Sequence, residues 1–303
     1  MKRILGILGA TSVGKTAVAK LIAKTIDAEI ISADSMQIYK GLNIGTAKAS
    51  KEEMNGLQQH MIDIIEPDEN FSSFDYGVIA GKKVEEIFLA NKTPIVVGGT
   101  GFYFDALLYP LSYTNKNNTE IRINLNKELN KYGIDYLYSK LLQIDPESAK
   151  TIHPNNVVRV IRALEIYYST GKKKSDYKIP TESKYPAKLY VLNASRNLLY
   201  ERINKRVDDM IRLGLVDEVK SLINKYPQNC NSFQAIGYKE IISYLNKECT
   251  LDFAIEKIKQ NTRNYAKRQL TYFLRFKDAI WIDVNLENPY STAQEILKDF
   301  YYE

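Results

Sequence analysis

Cysteine and histidine are scarce in this 303-residue chain, with two of each. Cys230 and Cys249 stand far apart with no Cys-x-x-Cys, so neither a disulfide framework nor a zinc site is implied. His60 and His153 have no partner at helix or finger spacing, and both are expected to be structural rather than metal ligands. Long apolar runs are also missing: none approaches the roughly 18 residues of a membrane-spanning helix. Met1-Lys2-Arg3 leads within a few residues into a core strand and a glycine loop, ground that a secretory leader would need. No membrane contact is expected, and the expected location is the cytoplasm. No internal repeat or long low-complexity tract is visible.

What is present suits an ordinary soluble protein with ample core: 45% hydrophobic and 26% charged residues. The length suggests one large domain with an insertion, or two domains. A net charge of +6 permits nucleic-acid contact without demanding it. Tyrosine is abundant at 22 residues, which suits half-exposed core edges and, at some positions, base stacking.

Apolar runs of strand character lie at residues 4–8, 28–33, 94–97, 189–193 and 279–284, and helical patterns such as 74–89 separate the early ones. Strands alternating with helices predict an α/β fold with a parallel sheet covered on both faces. From residue 111 the character changes, with Asn115-Lys116-Asn117-Asn118 followed by helical stretches at 121–131, 135–142 and 157–170. Gly171-Lys172-Lys173-Lys174 and residues 180–186 lead back. The expected organisation is therefore a core of residues 1–112 and 187–303, interrupted by an all-helical insertion at 113–186. Further helices are expected at 198–213, 216–225, 238–245 and 251–276.

The most informative string is Gly9-Ala10-Thr11-Ser12-Val13-Gly14-Lys15-Thr16, a G-x-x-x-x-G-K-T match that follows the first strand. Behind it Ala17, Leu21, Ile22 and Ile26 read as a helical stripe. Strand, glycine loop and helix make a phosphate cradle, because backbone N–H groups and the positive helix end converge on one point. Lys15 adds a charge and Thr16 a hydroxyl able to hold Mg²⁺. The core is thus expected to be P-loop NTPase-like. The motif specifies a diphosphate or triphosphate, not the reaction.

Three further clusters bear on chemistry. Asp34-Ser35-Met36-Gln37-Ile38-Tyr39 follows the second strand, and strand C-termini of a doubly wound sheet share an edge with the phosphate loop. Asp34 can take a proton or bind Mg²⁺ through water; it can equally form an Asx turn or helix cap. Gly98-Gly99-Thr100-Gly101-Phe102-Tyr103 follows the strand at 94–97 and reads either as backbone approaching a ligand or as a tight strand–helix turn. That strand ends in glycine, where motor-type NTPases place aspartate; 279–283 is the only apolar run ending in Asp. Arg202 and Arg206, four apart, form either a lid over phosphate or a solvated face. Residues 260–273 mix cations, amides and aromatics, which suits RNA or an ordinary amphipathic helix.

As a set these strings resemble the bacterial tRNA dimethylallyltransferases, also called tRNA isopentenyltransferases or the IPP transferase family. The resemblance also rests on Asn43-Ile44-Gly45-Thr46-Ala47-Lys48, His60-Met61-Ile62-Asp63, His153-Pro154-Asn155-Asn156 with Arg159, and Arg162-Ala163-Leu164-Glu165. Gly237-Tyr238 and Lys267-Arg268-Gln269-Leu270-Thr271 complete it, in order from one end to the other. The chain departs from the family pattern at Gln59-His60, where two histidines are usual, and at Tyr272-Phe273-Leu274-Arg275, where the arginine is displaced by one position.

The resemblance implies transfer of a dimethylallyl group from dimethylallyl diphosphate to the exocyclic N6 amine of the adenosine 3′-adjacent to the anticodon in tRNA. Gly9, Thr11, Ser12, Val13, Gly14, Lys15 and Thr16 would hold the diphosphate, with Mg²⁺ at Thr16 and Asp34 reaching it through water. Asp34 would accept the amine proton, and Thr100 would orient the adenine or Asp34. Lys15, Thr16 and Arg206 would complete the catalytic set, Arg202 and Arg206 meeting the leaving diphosphate. Contacts to tRNA would come from Asp34, Ser35, Met36, Gln37, Thr100, Arg122, Val158, Arg159, Val160, Ile161, Arg162, Gln234, Gly237, Tyr238, Lys239, Lys267, Arg268 and Gln269. The insertion would clasp the anticodon stem-loop, and a monomer suffices. Competing readings are a small-molecule P-loop kinase, a prenyltransferase acting on free AMP or ADP, and a nucleotide-gated RNA-binding module.

Overall fold

The computed structural model describes residues 2–110, 119–177 and 182–302. The polar run at 115–118, the start of the 180–186 segment and the expected boundary at 112/113 lie outside the described residues. Two compact units emerge: Met1–Leu108 with Ser183–Glu303, and Tyr109–Glu182.

The first unit is built on six strands: β1 (Ile4–Gly9), β2 (Ala28–Ser32), β3 (Gln59–His60), β4 (Thr93–Gly98), β5 (Ala187–Asn193) and β6 (Ile280–Asp283). They form one sheet in the order β3-β2-β4-β1-β5-β6, and every pairing is parallel. Parallel sheets are covered on both faces, which is why β1 reads as a continuous apolar run and is buried at all six positions. In register, Leu8 of β1 lies opposite Gly98 of β4 and Val191 of β5. Because all strands run the same way, the segments after β1, β2 and β4 emerge together at one edge. β3 was not foreseen: two residues are too short for a periodic signal.

The helix after the first loop runs Lys15–Thr25, and its buried residues are Val18, Ala19, Ile22 and Ala23. The expected stripe is thereby corrected: Ala17 is exposed, and Leu21 and Ile26 lie only partly buried. Val18 and Ile22, one turn apart, join Leu5, Ile7, Ile30, Ile95 and Leu192 in the apolar core. Each such buried aliphatic side chain contributes about 1.5–3 kcal/mol. Two long helices, Arg196–Arg212 and Leu251–Phe273, belong to the same unit and supply Leu199, Ile203 and Ala266 to that core. Helices Lys51–Met54, Gly101–Leu108 and Pro289–Tyr302 were not expected.

The second unit is helical throughout its described secondary structure. Thr119–Ile144 is interrupted at Gly133 (φ 81°, ψ 175°), which explains why the sequence reads as two helices there. Pro146–Thr151 and Val157–Thr170 follow. Leu125, Leu137, Leu141, Ile152, Val160 and Leu164 form its core. The buried Asp145 carboxylate caps Pro146–Thr151 by accepting from Ser148 N (3.0 Å), and accepts from Ser175 N (3.0 Å). Among the described residues no helix is long and apolar enough to cross a membrane.

Candidate active site

Backbone conformation shapes the loop after β1. Gly14 caps the following helix with φ 101°, a left-handed value that favours glycine. Ser12 also adopts positive φ, 66°, at a cost of about 1–3 kcal/mol for a non-glycine residue. Its carbonyl is held by Arg202 Nε at 3.0 Å. The buried Ser12 hydroxyl has no hydrogen-bond partner among the described residues. Lys15 Nζ donates to the carbonyl of Ala10 (2.8 Å). An unmatched hydroxyl, an ammonium and a helix N-terminus thus converge in a polar pocket of about 350 Å³, which Thr16, Arg202, Arg206 and Asp209 also line. Such an arrangement, termed the cradle, suits an anion.

Charge couples the cradle to its neighbour. Burial pushes the Lys15 ammonium down to about 8; Asp34 pulls it back up and Arg206 pushes it further down. Burial also lowers Arg206, again against the pull of Asp34. Asp34 stands just beyond β2, where its Oδ1 accepts from Met36 N (2.9 Å). The Asx turn is therefore real, and it leaves the half-buried carboxylate lining a second pocket of about 370 Å³. Ser35, Thr46, Tyr265 and Arg268 line that pocket as well, together with an apolar set of Ile203, Val207, Met210, Ile236 and Ile258. Arg206 faces both pockets and donates to the carbonyl of Thr46 (3.2 Å).

Thr100 follows β4, and its Oγ1 accepts from Ser35 N (3.0 Å) next to Asp34. The glycines around it do not open the backbone to a ligand. A Cβ at Gly98 would stand 2.0 Å from the Ala33 carbonyl, at Gly99 2.1 Å from Gln269 Nε2, and at Gly101 2.1 Å from the Tyr272 ring. They make room for the end of β2 and for Leu251–Phe273, so the tight-turn reading holds.

Of the residues expected at the RNA, Ser35 and Met36 lie at the second pocket, as do the exposed Gln234, Lys239 and Arg268; Lys267 is exposed nearby in sequence. Others turn inward. Gln37 accepts from Ser32 Oγ (3.0 Å) and donates to the Thr46 carbonyl (3.3 Å). Gln269 is only 4% exposed. Tyr238 belongs to the wall of the second pocket but is fully buried and donates to Glu218 Oε1 (2.6 Å), while the buried Gly237 N donates to Glu240 (2.8 Å). Val13 points into the sheet core, leaving only its backbone to the loop. In the second unit, Val160 and Ile161 fall on the core side of their helix. Val158 (69% exposed), Arg159 and Arg122 face outward, and Arg162 pairs with Glu165 at 2.9 Å.

The profile of the IPP transferase family matches residues 37–276. The chain belongs to this family. It is 46% identical over 281 residues to the tRNA dimethylallyltransferase of Bacillus subtilis strain 168, covering 92% of this chain and 90% of that protein. It is 45% identical to the Alkaliphilus metalliredigens protein of the same name, covering 98% and 97%. The tRNA delta(2)-isopentenylpyrophosphate transferase of Staphylococcus epidermidis superposes with a TM-score of 0.75 at 39% identity, over 100% of both chains. A eukaryotic dimethylallyltransferase captured acting on tRNA gives 0.84 at 30% identity, over 100% of this chain and 79% of that one.

At the two departures from the family pattern the structure is well tied. Arg275 donates to the Tyr272 hydroxyl (3.1 Å), pairs with Asp105 (3.5 Å) and lies over the Tyr272 ring. His60 pairs with Glu29 (Nε2 to Oε2 2.6 Å), which also takes Lys92 at 2.9 Å. Three site residues escaped the sequence reading. Glu218 accepts from the amides of Asn43 (3.1 Å), Ile44 (2.7 Å) and Gly45 (3.2 Å), fixing the loop that carries Thr46. A lone Glu on an amphipathic helix gives no signal for that. Asp209 enters the cradle three residues after Arg206, a spacing that could have revealed it. Tyr265, within the mixed string 260–273, lines the second pocket.

Proposed function

We infer that this chain is a tRNA dimethylallyltransferase. It transfers the dimethylallyl group of dimethylallyl diphosphate to N6 of the adenosine 3′-adjacent to the anticodon, releasing diphosphate. The observation that carries the finer reading is Arg206, shared by a polar cradle and a pocket with an apolar wall. The donor substrate has the same division, a diphosphate head on a branched five-carbon tail.

An adenine amine is a poor nucleophile because its lone pair is delocalised into the ring. The allylic C–O bond breaks readily once charge developing on the leaving oxygen is neutralised. Lys15, the loop amides, the Ser12 hydroxyl, Arg202 and Arg206 supply that neutralisation. The new C–N bond forms in the second pocket, and Asp34 takes the amine proton. Thr100 steadies the Asp34 turn through Ser35 N. The target base must leave its stack to enter, at a cost of a few kcal/mol that is smallest in an unpaired loop.

The donor set of the cradle fits Mg²⁺. Thr16 and Asp209 offer hard oxygens there, and the described residues hold no group of three or more acidic, His or Cys ligands. Mg²⁺ commonly takes one or two protein oxygens plus substrate phosphates. Bound at Thr16, with Asp34 reaching it through water, it would supply further charge neutralisation at the diphosphate.

For tRNA, Ser35, Met36, Gln234, Lys239, Lys267 and Arg268 serve the loop around the target base. Arg122, Val158 and Arg159 of the helical unit serve the anticodon stem-loop. The enzyme works as a cytoplasmic monomer. The test incubates the chain with dimethylallyl diphosphate, Mg²⁺ and unmodified tRNA, followed by nucleoside mass spectrometry for a prenyl adduct on adenosine. ATP consumption without that adduct would establish a kinase. Prenylated AMP beside unmodified tRNA would establish a free-nucleotide enzyme.

A further inference from the structure

Helix Leu251–Phe273 carries Tyr265, which lines the second pocket, and one turn on Gln269, buried beneath the loops. Gln269 bridges two loops far from it in sequence. Its Oε1 accepts from Thr11 N in the phosphate loop (2.9 Å), and its Nε2 donates to the Gly99 carbonyl after β4 (2.9 Å). That pairing permits one orientation of the amide, since the flipped form would set oxygen against oxygen and N–H against N–H. The Tyr265 hydroxyl lies beside the side chains of Gln269 and Thr100. Thr100 Oγ1 in turn accepts from Ser35 N (3.0 Å), beside the Asp34 carboxylate. Polar side chains thus lead from the phosphate loop, at Thr11 next to the cradle, to the turn that carries Asp34: Gln269, Tyr265, Thr100 and Ser35 N. Burial, and next Asp34, push the Tyr265 phenol up to about 12. It is therefore a neutral hydroxyl at working pH, suited to hold neighbours rather than to exchange protons.

We propose that Tyr265 and Gln269 are positioning residues that set the distance between the diphosphate cradle and Asp34, Gln269 through the Thr11 amide and Tyr265 through Thr100. The proposal rests on the transferase reading and adds to it a reason why these two helix side chains face inward. The site needs such a link because its two reacting partners are held by loops on different strands. A misplacement of 1 Å between reacting groups costs about 100-fold in rate.

The test uses the full chain with dimethylallyl diphosphate and unmodified tRNA, and the wild-type protein serves as control. Tyr265→Phe keeps the ring and removes the hydroxyl. It should lower kcat about 10–100-fold, with KM for both substrates within about two-fold and the melting temperature little changed. Thr100→Val removes the Oγ1 that stands beside Tyr265 and accepts from Ser35 N, and covers the case of a poorly folding Tyr265→Phe. The double variant should be no slower than the slower single one, because the two groups act as one unit. Gln269→Glu sets a carboxylate oxygen against the Gly99 carbonyl, and should raise KM for the allylic diphosphate as well as lower kcat. Turnover of Tyr265→Phe within about two-fold of wild type overturns the proposal. So do multiplicative losses in the double variant. A weakened tRNA affinity at unchanged kcat would instead make Tyr265 an RNA contact. A wild-type protein that forms no prenylated adenosine would bring down the transferase reading itself, a result distinct from any of these.

Discussion

The two pockets that meet at Arg206 are built in opposite ways. Ser12, Gly14, Lys15, Thr16 and Ala17 are nearly contiguous, and a single helix face with Arg202, Lys205, Arg206 and Asp209 completes the polar pocket. The other draws on residues from Thr11 to Arg268, spread over loops after β1 and β2, the loop at Gly45 and Thr46, and several helical segments. On the proposed function the difference follows from what each pocket would recognise. An anion is held by backbone N–H groups, a helix end and fixed charges, which one short loop can present. A prenyl tail and a purine need walls of side chains, and no single segment has enough of them.

Variants that strike one pocket and spare the other sharpen this contrast. The largest effect is expected at Asp34, on the second pocket. Asp34→Ala should lower kcat about 10²–10⁴-fold while tRNA still binds, as read by single-turnover prenylation and filter binding. Near-normal turnover would take the role of base away from Asp34. Arg206→Ala strikes the shared wall and should cost about 10²–10³-fold in kcat. It should also weaken inhibition by inorganic pyrophosphate; a loss of turnover with pyrophosphate inhibition intact would confine Arg206 to the second pocket.

Val207→Ala trims only the apolar wall. KM for dimethylallyl diphosphate should rise about 10-fold with the pyrophosphate inhibition constant unchanged, and a matching change in both would show that the two pockets are not separable. A milder effect is expected from pH. Burial holds Lys15 at about 8. The cation that attracts the diphosphate is present below that pH and is lost above it, so KM for the allylic diphosphate should climb as pH passes 8. Binding of the anion should itself raise the Lys15 pKa, and Lys15→Arg should flatten the climb. A profile flat from pH 7 to 10 in the unsubstituted protein would break this assignment. Smallest is the rim: Lys267→Ala should weaken tRNA binding a few-fold and reduce its salt slope by about one. An unchanged slope would place RNA phosphates elsewhere.

The legible parts of the molecule were those whose signal is local. The phosphate loop could be read because strand, loop and helix follow one another directly. Asp34 and Thr100 could be placed beside it because strand ends of a parallel sheet share an edge. The helix Tyr238–Leu245 was foreseen to its boundaries, and the break at Gly133 was foreseen as a gap between two helices. Where readings went astray, periodicity lacked the third dimension. Gln269, polar and amid cations, looked like an RNA contact, yet its amide matches a lone N–H and a lone carbonyl on two loops. The three glycines after β4 looked like room for a ligand, but the neighbours they admit are Ala33, Gln269 and Tyr272.

From the chain alone came an α/β core, a glycine loop between its first strand and helix, and the family it resembles, because backbone geometry and short-range spacing suffice to specify those. The order β3-β2-β4-β1-β5-β6, the apolar wall beside Asp34 and the inward turn of Tyr265 and Gln269 were settled only by folding. Each depends on which surfaces meet when separate helices close over the sheet edge, and a one-dimensional pattern records the faces of an element but not the partner each face finds.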